Sequence, residues 1–277
     1  MNKKHFDQHI HSAFSCDSTP ENTIGHIAES AISAGLAGIA ITDHFDPLWP
    51  EDTPFGDFVY FELDIPAYQA GLTEAESIYS DRILFSKGIE LGLLSGEAND
   101  KCSKAVNRFP YDFVIGSVHY SATTPFDYFS FHEGRLLSDI LDEYYTIFIN
   151  SIKEFKNYDV LGHINSIDRY TDELAPGSLY MPYIDEILKM AVSDGKGIEI
   201  NTSAFGRYSR PGEYGTPTLA IMKRFRELGG EIVTMGSDAH KTRDVGSYLK
   251  EGEELLKSAG FKYQAVFKDR KPEFYGI

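Results

Sequence analysis

The 277-residue sequence lacks the features that would assign it to several common classes of protein. It contains only two cysteines, Cys16 and Cys102, which lie far apart and in no paired-cysteine motif. This scarcity argues against a disulfide framework and a zinc ribbon, so both thiols are expected to be free. No apolar run approaches the roughly 20 residues of a membrane-spanning helix, and the first residues lack the apolar core of a secretory signal. We therefore expect a cytoplasmic protein without a membrane partner.

Positive charge is also scarce in this sequence. Lysine and arginine total 26 against 42 aspartate and glutamate residues, which gives a formal net charge of −16. A surface of this sign repels polyanions, so no nucleic-acid partner is expected. A small anionic substrate is compatible with this charge, because bound divalent cations invert the local field. Some of the carboxylates are therefore candidates for metal ligands.

The sequence does contain a regular alternation of short β-branched runs and longer segments of helical period. This alternation is typical of βα units around a parallel sheet, and about seven units can be counted. We predict one domain over residues 1–277, a usual length for a single α/β barrel. The predicted strands are short and mostly apolar, as buried parallel strands are. They are Phe6–Ile10, Gly38–Thr42, Ile83–Ile89, Phe113–Val118, Val160–Gly162, Gly197–Asn201 and Ile232–Gly236.

The segments between the predicted strands have helix boundaries that can be recognised. Thr19 is predicted as the N-cap of the first helix, with Pro20 at its first position and Gly35 just past its end. The stretch 45–63 carries aromatic residues among proline, glycine and aspartate without clean periodicity. It is predicted to be a long loop, and such loops often act as functional lids. Further helices are predicted near 64–80, 134–155, 181–194, 216–228 and 244–259.

Candidate metal ligands follow most of the predicted strands. The alternation of a strand places His9 and His11 on the same face, and Asp17 lies in a short loop that can fold back over them. The sixth strand, ending in Glu199–Ile200–Asn201–Thr202, contributes no candidate. Because the carboxyl ends of parallel barrel strands converge, the candidates are expected to meet in one pocket. The further candidates at strand ends are His44, Glu90, His119, His163, Asp238 and His240.

The number and type of these candidates favour several metal ions. Six of the nine histidines lie at or just after five separate predicted strands, which unrelated core histidines would rarely do. One ion takes roughly four to six donors, so nine ligands can hold three ions if a carboxylate such as Glu90 bridges two. Imidazoles and carboxylates without thiolate favour Zn, Mn or Fe over a structural zinc site. Asp17 could instead form a turn in its loop rather than bind a metal ion.

The chain resembles the PHP (polymerase and histidinol phosphatase) superfamily over residues 5–240. The resemblance implies a distorted (β/α)7, TIM-like barrel with a trinuclear site. It rests on His9-x-His11, Thr42–Asp43–His44, Gly88–Ile89–Glu90, Ser117–Val118–His119, Gly162–His163 and Ser237–Asp238–Ala239–His240. Within the superfamily, the likeness is to histidinol-phosphate phosphatases through His11–Ser12–Ala13–Phe14–Ser15, Gly88–Ile89–Glu90–Leu91–Gly92, Arg169–Tyr170 and Glu199–Ile200–Asn201–Thr202–Ser203.

The same resemblance implies how the ligands are shared among three divalent ions. Glu90 would bridge two of the ions. The sequence departs from the superfamily at Asn165, where relatives frequently carry an acid, and this leaves the surroundings of His163 open. The implied sets are His9, His11, Glu90 and Asp238 for one ion, Glu90, His119 and His163 for a second, and Asp17, His44 and His240 for a third.

Hydrolysis of a phosphomonoester is the predicted activity, and the resemblance implies L-histidinol phosphate, an intermediate of histidine biosynthesis, as the substrate. Arg169 and Arg207 are candidates to clamp the phosphate oxygens, although either is also interpretable as a surface arginine. Asp238 or His240 is expected to protonate the leaving group. The 45–63 loop and residues 120–131 either surround the imidazole and ammonium of the substrate or simply pack over the barrel mouth.

Other functions are compatible with the same candidate residues. A phosphodiesterase or nuclease, or a phosphatase for another small molecule, would use similar metal chemistry, although the acidic surface argues against long nucleic acids. A metal-dependent amidohydrolase would usually add a bridging lysine, which cannot be placed in this sequence. A non-catalytic metal-binding module is a further alternative, and the presence of the complete set of candidate ligands argues against it.

Overall fold

The structure is a computed structural model that describes residues 5–50, 53–54, 57–171, 174–206 and 215–277. Arg207, one of the two predicted phosphate-clamping residues, lies outside the described residues. The strands are β1 (Phe6–Ile10), β2 (Gly38–Ile41), β3 (His44–Phe45), β4 (Leu84–Gly92), β5 (Phe113–Ser117), β6 (Val160–Leu161), β7 (Gly197–Asn201), β8 (Val233–Gly236), β9 (Tyr263–Lys268) and β10 (Lys271–Gly276).

Helices connect the successive strands and cover the outside of the sheet. Their buried residues are mainly apolar, as expected for helices that pack one face on a sheet. The α-helices are α1 (Ile24–Ser33), α2 (Ile65–Tyr79), α3 (Glu97–Arg108), α4 (Phe129–His132), α5 (Leu137–Glu154), α6 (Gly177–Ser193), α7 (Gly215–Glu227) and α8 (Leu249–Ser258). Short 3-10 helices span Ser166–Arg169, Thr202–Phe205 and Thr242–Asp244.

Seven parallel strands form a nearly closed barrel in the order β1, β2, β4, β5, β6, β7, β8. β1 and β8 meet through a parallel bridge between Ile10 and Ala239. After a two-residue break β3 continues β2, and it pairs His44 with Glu90 on β4. All of these pairings are parallel, so the carboxyl ends of the strands lie at one end of the barrel. The predicted seven-unit barrel is confirmed.

The first helix begins later than predicted. It spans Ile24–Ser33 with Thr23 as the N-cap, whose side chain accepts a hydrogen bond from His26 N at 3.2 Å. The chain turns before this point because Asn22 folds back to β1, where its Nδ2 donates to His11 O at 2.7 Å. The prediction that Thr19 caps the helix and Pro20 begins it was therefore wrong. Gly35 follows the helix with a φ of 77°, in agreement with the predicted end.

The C-terminal hairpin of β9 and β10, like α3, was not predicted. The ring of Phe267 stacks on Phe113 at the start of β5, with 5.0 Å between the ring centroids. The backbone N–H of Phe267 donates to Gln8 Oε1 of β1 at 3.2 Å. The backbone N–H of Arg270 donates to Asp112 O at 2.9 Å. The hairpin therefore covers the amino-terminal end of the barrel. Its contacts are with residues far away in sequence, which leave no local signal.

The 45–63 segment is a loop, as predicted, wherever the structure describes it. After β3, its described residues contain no helix and no further extended strand. Trp49 stacks on Tyr60 with 5.5 Å between the ring centroids, and Tyr60 OH donates to Asp46 O at 2.6 Å. These contacts order the loop beside the carboxyl ends of the strands. Among the described residues, no helix is both long enough and apolar enough to cross a membrane.

Candidate metal centre

Glu90 lies at the centre of a buried cluster at the carboxyl ends of the strands. Its Oε2 atom is 3.2 Å from His9 Nε2 and 3.0 Å from His44 Nδ1. Its Oε1 atom is 3.3 Å from His119 Nε2 and 3.0 Å from His163 Nε2. One carboxylate on β4 therefore contacts imidazoles on β1 and β3 and imidazoles that follow β5 and β6.

Asp17 and Asp238 bring the remaining candidates into the same cluster. His11 Nε2 lies 3.2 Å from Asp238 Oδ1, and His240 Nε2 lies 2.7 Å from Asp17 Oδ2. The His11 ring stacks on the rings of His44 and His240, each at a centroid distance of 4.1 Å. The structure thus brings all nine predicted side chains together, although they are spread over more than 200 positions of the sequence.

The chemistry of this cluster fits metal ions. His9 Nε2 and His11 Nε2 face each other at 3.0 Å, and buried Glu90 Oε2 makes no hydrogen bond with the described part of the chain. Converging lone pairs of this kind are satisfied by a cation. These histidine and glutamate side chains form a metal site. Three overlapping groups have ligand atoms within 4.8 Å of one another: His11, His44 and His240; His9, His11 and Glu90; His44, Glu90 and His119.

The electrostatics of the cluster favour an ionised carboxylate at its centre. Burial alone would raise the pKa of Glu90, but the nearby imidazoles, led by His9, hold it well below its usual value. Burial would lower the pKa of His119, but Asp46 and Glu90 raise it to about 9. Burial and the neighbouring imidazoles hold the pKa of His11 well below its usual value. An anionic carboxylate and a neutral imidazole are the forms that coordinate metal ions, so Glu90 and His11 are ready to bind, whereas a metal ion at His119 would replace a proton.

Glu199 on β7 is a site residue that the sequence interpretation missed. Its Oε1 lies 2.6 Å from His9 Nδ1, and its Oε2 accepts a hydrogen bond from His163 N at 3.0 Å. A carboxylate on the second nitrogen of a metal-binding histidine fixes the tautomer and orientation of the ring. The available signal was an acidic residue inside the buried strand Gly197–Asn201, where a charge needs a partner.

Asp46 is a second residue that was missed. Its Oδ1 lies 2.6 Å from His119 Nδ1, and its Oδ2 lies 3.4 Å from His44 Nδ1. Burial alone would raise the pKa of Asp46, but the His119 imidazole lowers it. The side chain is therefore held as an anion between two imidazoles. Its spacing of two residues from His44 repeats that of His9 and His11, which would have been the signal.

Two further aspartates hold the backbone that carries the cluster. Asp43 accepts hydrogen bonds from Ser12 N at 2.6 Å and from Ser15 Oγ at 2.7 Å, which fixes the turn after His11. Asp7 accepts from the backbone and hydroxyl of Ser237, at 2.8 and 2.6 Å, next to Asp238.

Asp238 itself has a positive φ of 53°, a conformation uncommon for a residue other than glycine. Its N–H donates to His9 O at 2.8 Å, which stabilises this conformation. Strained backbone of this kind persists where the surrounding structure over-determines it, and it is found at functional sites.

Arg169 lies beside the cluster at the end of a 3-10 helix. Its Nη1 is 3.4 Å from Asp238 Oδ2, and its Nη2 donates to Ser203 Oγ at 3.4 Å. The guanidinium lines a cavity of about 460 Å³ that also contains Asp17, His44, His119, His163, Asp238 and His240 in its wall. Trp49, Asp57, Phe58, Phe126, Asp127 and Tyr170 line it as well.

A nearly closed parallel barrel with imidazoles and carboxylates clustered at its strand ends defines a metal-binding α/β-barrel protein. The sequence profile of the PHP domain matches residues 7–203, more than half of the chain, and the chain belongs to the PHP domain family. The resemblance noted from the sequence motifs is therefore confirmed.

The relatives of this chain within the family match it over nearly its full length. A histidinol-phosphatase of Lactococcus lactis is 29% identical over 272 residues, which is 97% of this chain and 96% of that protein. A relative from Clostridium acetobutylicum, named "Probable histidinol-phosphatase", is 30% identical over 264 residues, 93% and 94% of the two chains. A solved structure of the Lactococcus lactis histidinol phosphate phosphatase, complexed with Zn, L-histidinol and phosphate, superposes with a TM-score of 0.85. It is 27% identical and covers 98% of this chain and 99% of that chain.

Proposed function

We propose that this protein is a metal-dependent phosphomonoesterase that hydrolyses L-histidinol phosphate to L-histidinol and phosphate. The observation that carries the proposal is the convergence of six imidazoles and three carboxylates in one cluster, six of whose side chains line a cavity of about 460 Å³. A cavity of this size suits a small molecule. The similarity to the histidinol-phosphatase of Lactococcus lactis over nearly the whole of both chains supports the same substrate.

In this proposal, nine side chains hold three divalent ions, of Zn, Mn or Fe. Glu90 is the bridging ligand, because its two oxygens contact different imidazoles: Oε2 those of His9 and His44, and Oε1 those of His119 and His163. Such a cluster lowers the pKa of a water molecule and neutralises phosphoryl oxygens. The full set is His9, His11, Asp17, His44, Glu90, His119, His163, Asp238 and His240.

The side chains around the ligands supply binding and proton transfer. Arg169 presents a planar, permanently charged donor group to the cavity, which suits the remaining phosphate oxygens. Arg207 is the second proposed clamp, on the sequence argument alone. The leaving alkoxide needs a proton, and Asp238 and His240 both line the cavity where they can deliver it.

The cavity lining also suits a cationic and aromatic leaving group. Trp49, Phe58 and Tyr170 contribute aromatic side chains to it, and Asp57 and Asp127 contribute negative charge. An imidazole and an ammonium group are both stabilised by such a wall. The same acidic residues would repel the neighbouring phosphates of a nucleic-acid chain. They therefore favour a phosphomonoester with a positively charged leaving group over a nucleic acid.

The experiment is phosphate release by protein loaded with Mn or Zn, with histidinol phosphate, a generic phosphomonoester and a phosphodiester as substrates. A chelated sample is the control for metal dependence. We expect a chelator-sensitive preference in kcat/KM for histidinol phosphate and three metal ions per chain by elemental analysis. A preference for the diester, or none, would contradict the substrate while leaving the metal site intact.

A matched pair of variants ties this activity to the metal site. Glu90→Gln removes the bridging carboxylate, whereas Glu97→Gln makes the same change at an exposed position of α3. Glu90→Gln should lose bound metal and phosphate release together, and Glu97→Gln should match the unmodified protein. Less than one metal ion per chain, with no ester hydrolysed by the unmodified protein, would favour a non-catalytic metal-binding module.

A further inference from the structure

We propose that Lys241 is a further cationic phosphate-binding residue of this site, acting together with Arg169. Lys241 lines the same cavity as Arg169 and directly follows His240, a proposed metal ligand. The inference rests on the proposed phosphomonoesterase function, because it assigns the residue to the phosphate of the substrate.

The backbone around Lys241 is anchored on both sides. His240 O accepts a hydrogen bond from Ser18 Oγ at 3.2 Å. Thr242 O accepts from Ser30 Oγ at 2.9 Å, and Thr242 Oγ1 donates to Asn22 Oδ1 at 2.6 Å. Lys241 therefore stands at a constant place on the cavity rim, and only its flexible side chain has to find the ligand.

The ammonium group of Lys241 is available for a ligand. Within the described ranges of the chain, it forms no ion pair and no hydrogen bond. Asp244, three residues further along the chain, is 3.8 Å from the neighbouring guanidinium of Arg243 instead. Arg169, by comparison, already contacts Asp238 Oδ2 at 3.4 Å, so part of its charge is neutralised inside the protein.

The negative charge around Lys241 makes the lack of an acidic partner among the described residues unexpected. The chain has a net charge of −16, and Asp57, Asp127 and Asp244 all line the cavity. In such surroundings a lysine would be expected to pair with an acid. A flexible ammonium that has no partner among the described residues is suited to an incoming dianion, which it can attract from solution and then contact directly.

The test measures binding of inorganic phosphate to metal-loaded protein by calorimetry. Lys241→Met removes the ammonium, and Arg243→Met removes the same charge two residues away, where the side chain is 77% exposed and does not line the cavity. The Lys241→Met protein loses one charge-assisted contact, so its affinity for phosphate should be about tenfold lower than that of the unmodified protein. Arg243→Met should bind like the unmodified protein, and Lys241→Arg should restore most of the affinity.

Two further measurements identify the cause of any loss. Metal content should be the same in all four proteins, and KM for the phosphomonoester should rise in Lys241→Met with a smaller change in kcat. Equal phosphate affinity in Lys241→Met and Arg243→Met would overturn the role of Lys241 while leaving the proposed function standing. If unmodified protein neither binds phosphate nor hydrolyses a phosphomonoester, both proposals fail.

Discussion

The carboxylate of Glu199 lies 2.6 Å from His9 Nδ1. The same carboxylate accepts a hydrogen bond from His163 N at 3.0 Å, so one side chain on β7 contacts a histidine on β1 and the backbone of a histidine that follows the neighbouring strand β6. Both histidines contact Glu90, at 3.2 and 3.0 Å. Glu199 therefore contacts the metal site without lining the cavity of about 460 Å³ that contains Arg169.

Replacing Glu199 with glutamine should weaken metal binding. The amide keeps the size of the side chain but removes the charge that favours the correct tautomer of His9. Loss of such an outer partner typically lowers metal affinity by about 10–100-fold. Competition with a chromophoric chelator measures this affinity, and exposed Glu231 changed to glutamine is the control. Equal affinities in the two variants would show that Glu199 does not position the ligands.

Replacing Gly236 with alanine should disturb the site through His9. A Cβ atom at this position would collide with His9 Cβ and would lie 2.7 Å from Glu199 Oε1. Backbone and side chains must shift, so we expect a loss of about 1–3 kcal/mol in the free energy of unfolding, together with reduced metal content. Gly276→Ala is the matched control, because nothing lies within 4 Å of its added Cβ. Urea unfolding and elemental analysis of both variants decide the question.

Replacing Arg169 with alanine should raise KM and lower kcat/KM for the phosphomonoester by at least about tenfold, because a charge-assisted donor is lost. Arg169→Lys should recover only part of this, since an ammonium cannot reproduce the planar donor geometry. Steady-state kinetics of the metal-loaded variants measure KM and kcat/KM. Arg82→Ala, which breaks only an exposed pair with Glu29, is the control. An unchanged kcat/KM in Arg169→Ala would remove this residue from the phosphate clamp.

Replacing Phe267 with alanine should destabilise the barrel without affecting the metal site. Its ring is buried against Phe113 at the amino-terminal end, so its loss should cost about 3–5 kcal/mol of unfolding free energy. Phe274 lies on the adjacent strand β10 and is 49% exposed, so Phe274→Ala should change stability by less than about 1 kcal/mol. Denaturant unfolding measures both variants. Loss of metal from folded Phe267→Ala would contradict the separation between the two ends of the barrel.

Local patterns in the sequence were sufficient to predict the barrel and the location of its site. The runs before His11, His44, Glu90, His119, His163 and Asp238 are short and apolar, which is typical of strands buried on both faces. Parallel pairing then places the residues after these runs at one end of the barrel. The nine predicted side chains do meet there, because strand direction alone determines where strand ends lie.

The errors occurred where contacts between distant parts of the chain override local preference. Thr19 and Pro20 have the composition of a helix start, but the hydrogen bond from Asn22 to His11 O delays the helix to Ile24. The position of Glu199 inside a buried strand indicates only that its charge needs a partner, and that partner is a histidine 190 positions earlier in the chain.

The sequence by itself determined the strand and helix alternation, the acidic charge and the identity of the side chains that gather at the strand ends. These properties depend on the order and type of residues over short spans. Only the tertiary structure decided which atoms face each other. It placed Glu90 within 3.5 Å of five imidazoles, and it placed Glu199 and Asp46 beside them. It also left the Lys241 ammonium unpaired within the described residues. Such distances depend on how the barrel closes, and closure is a property of all the strands together.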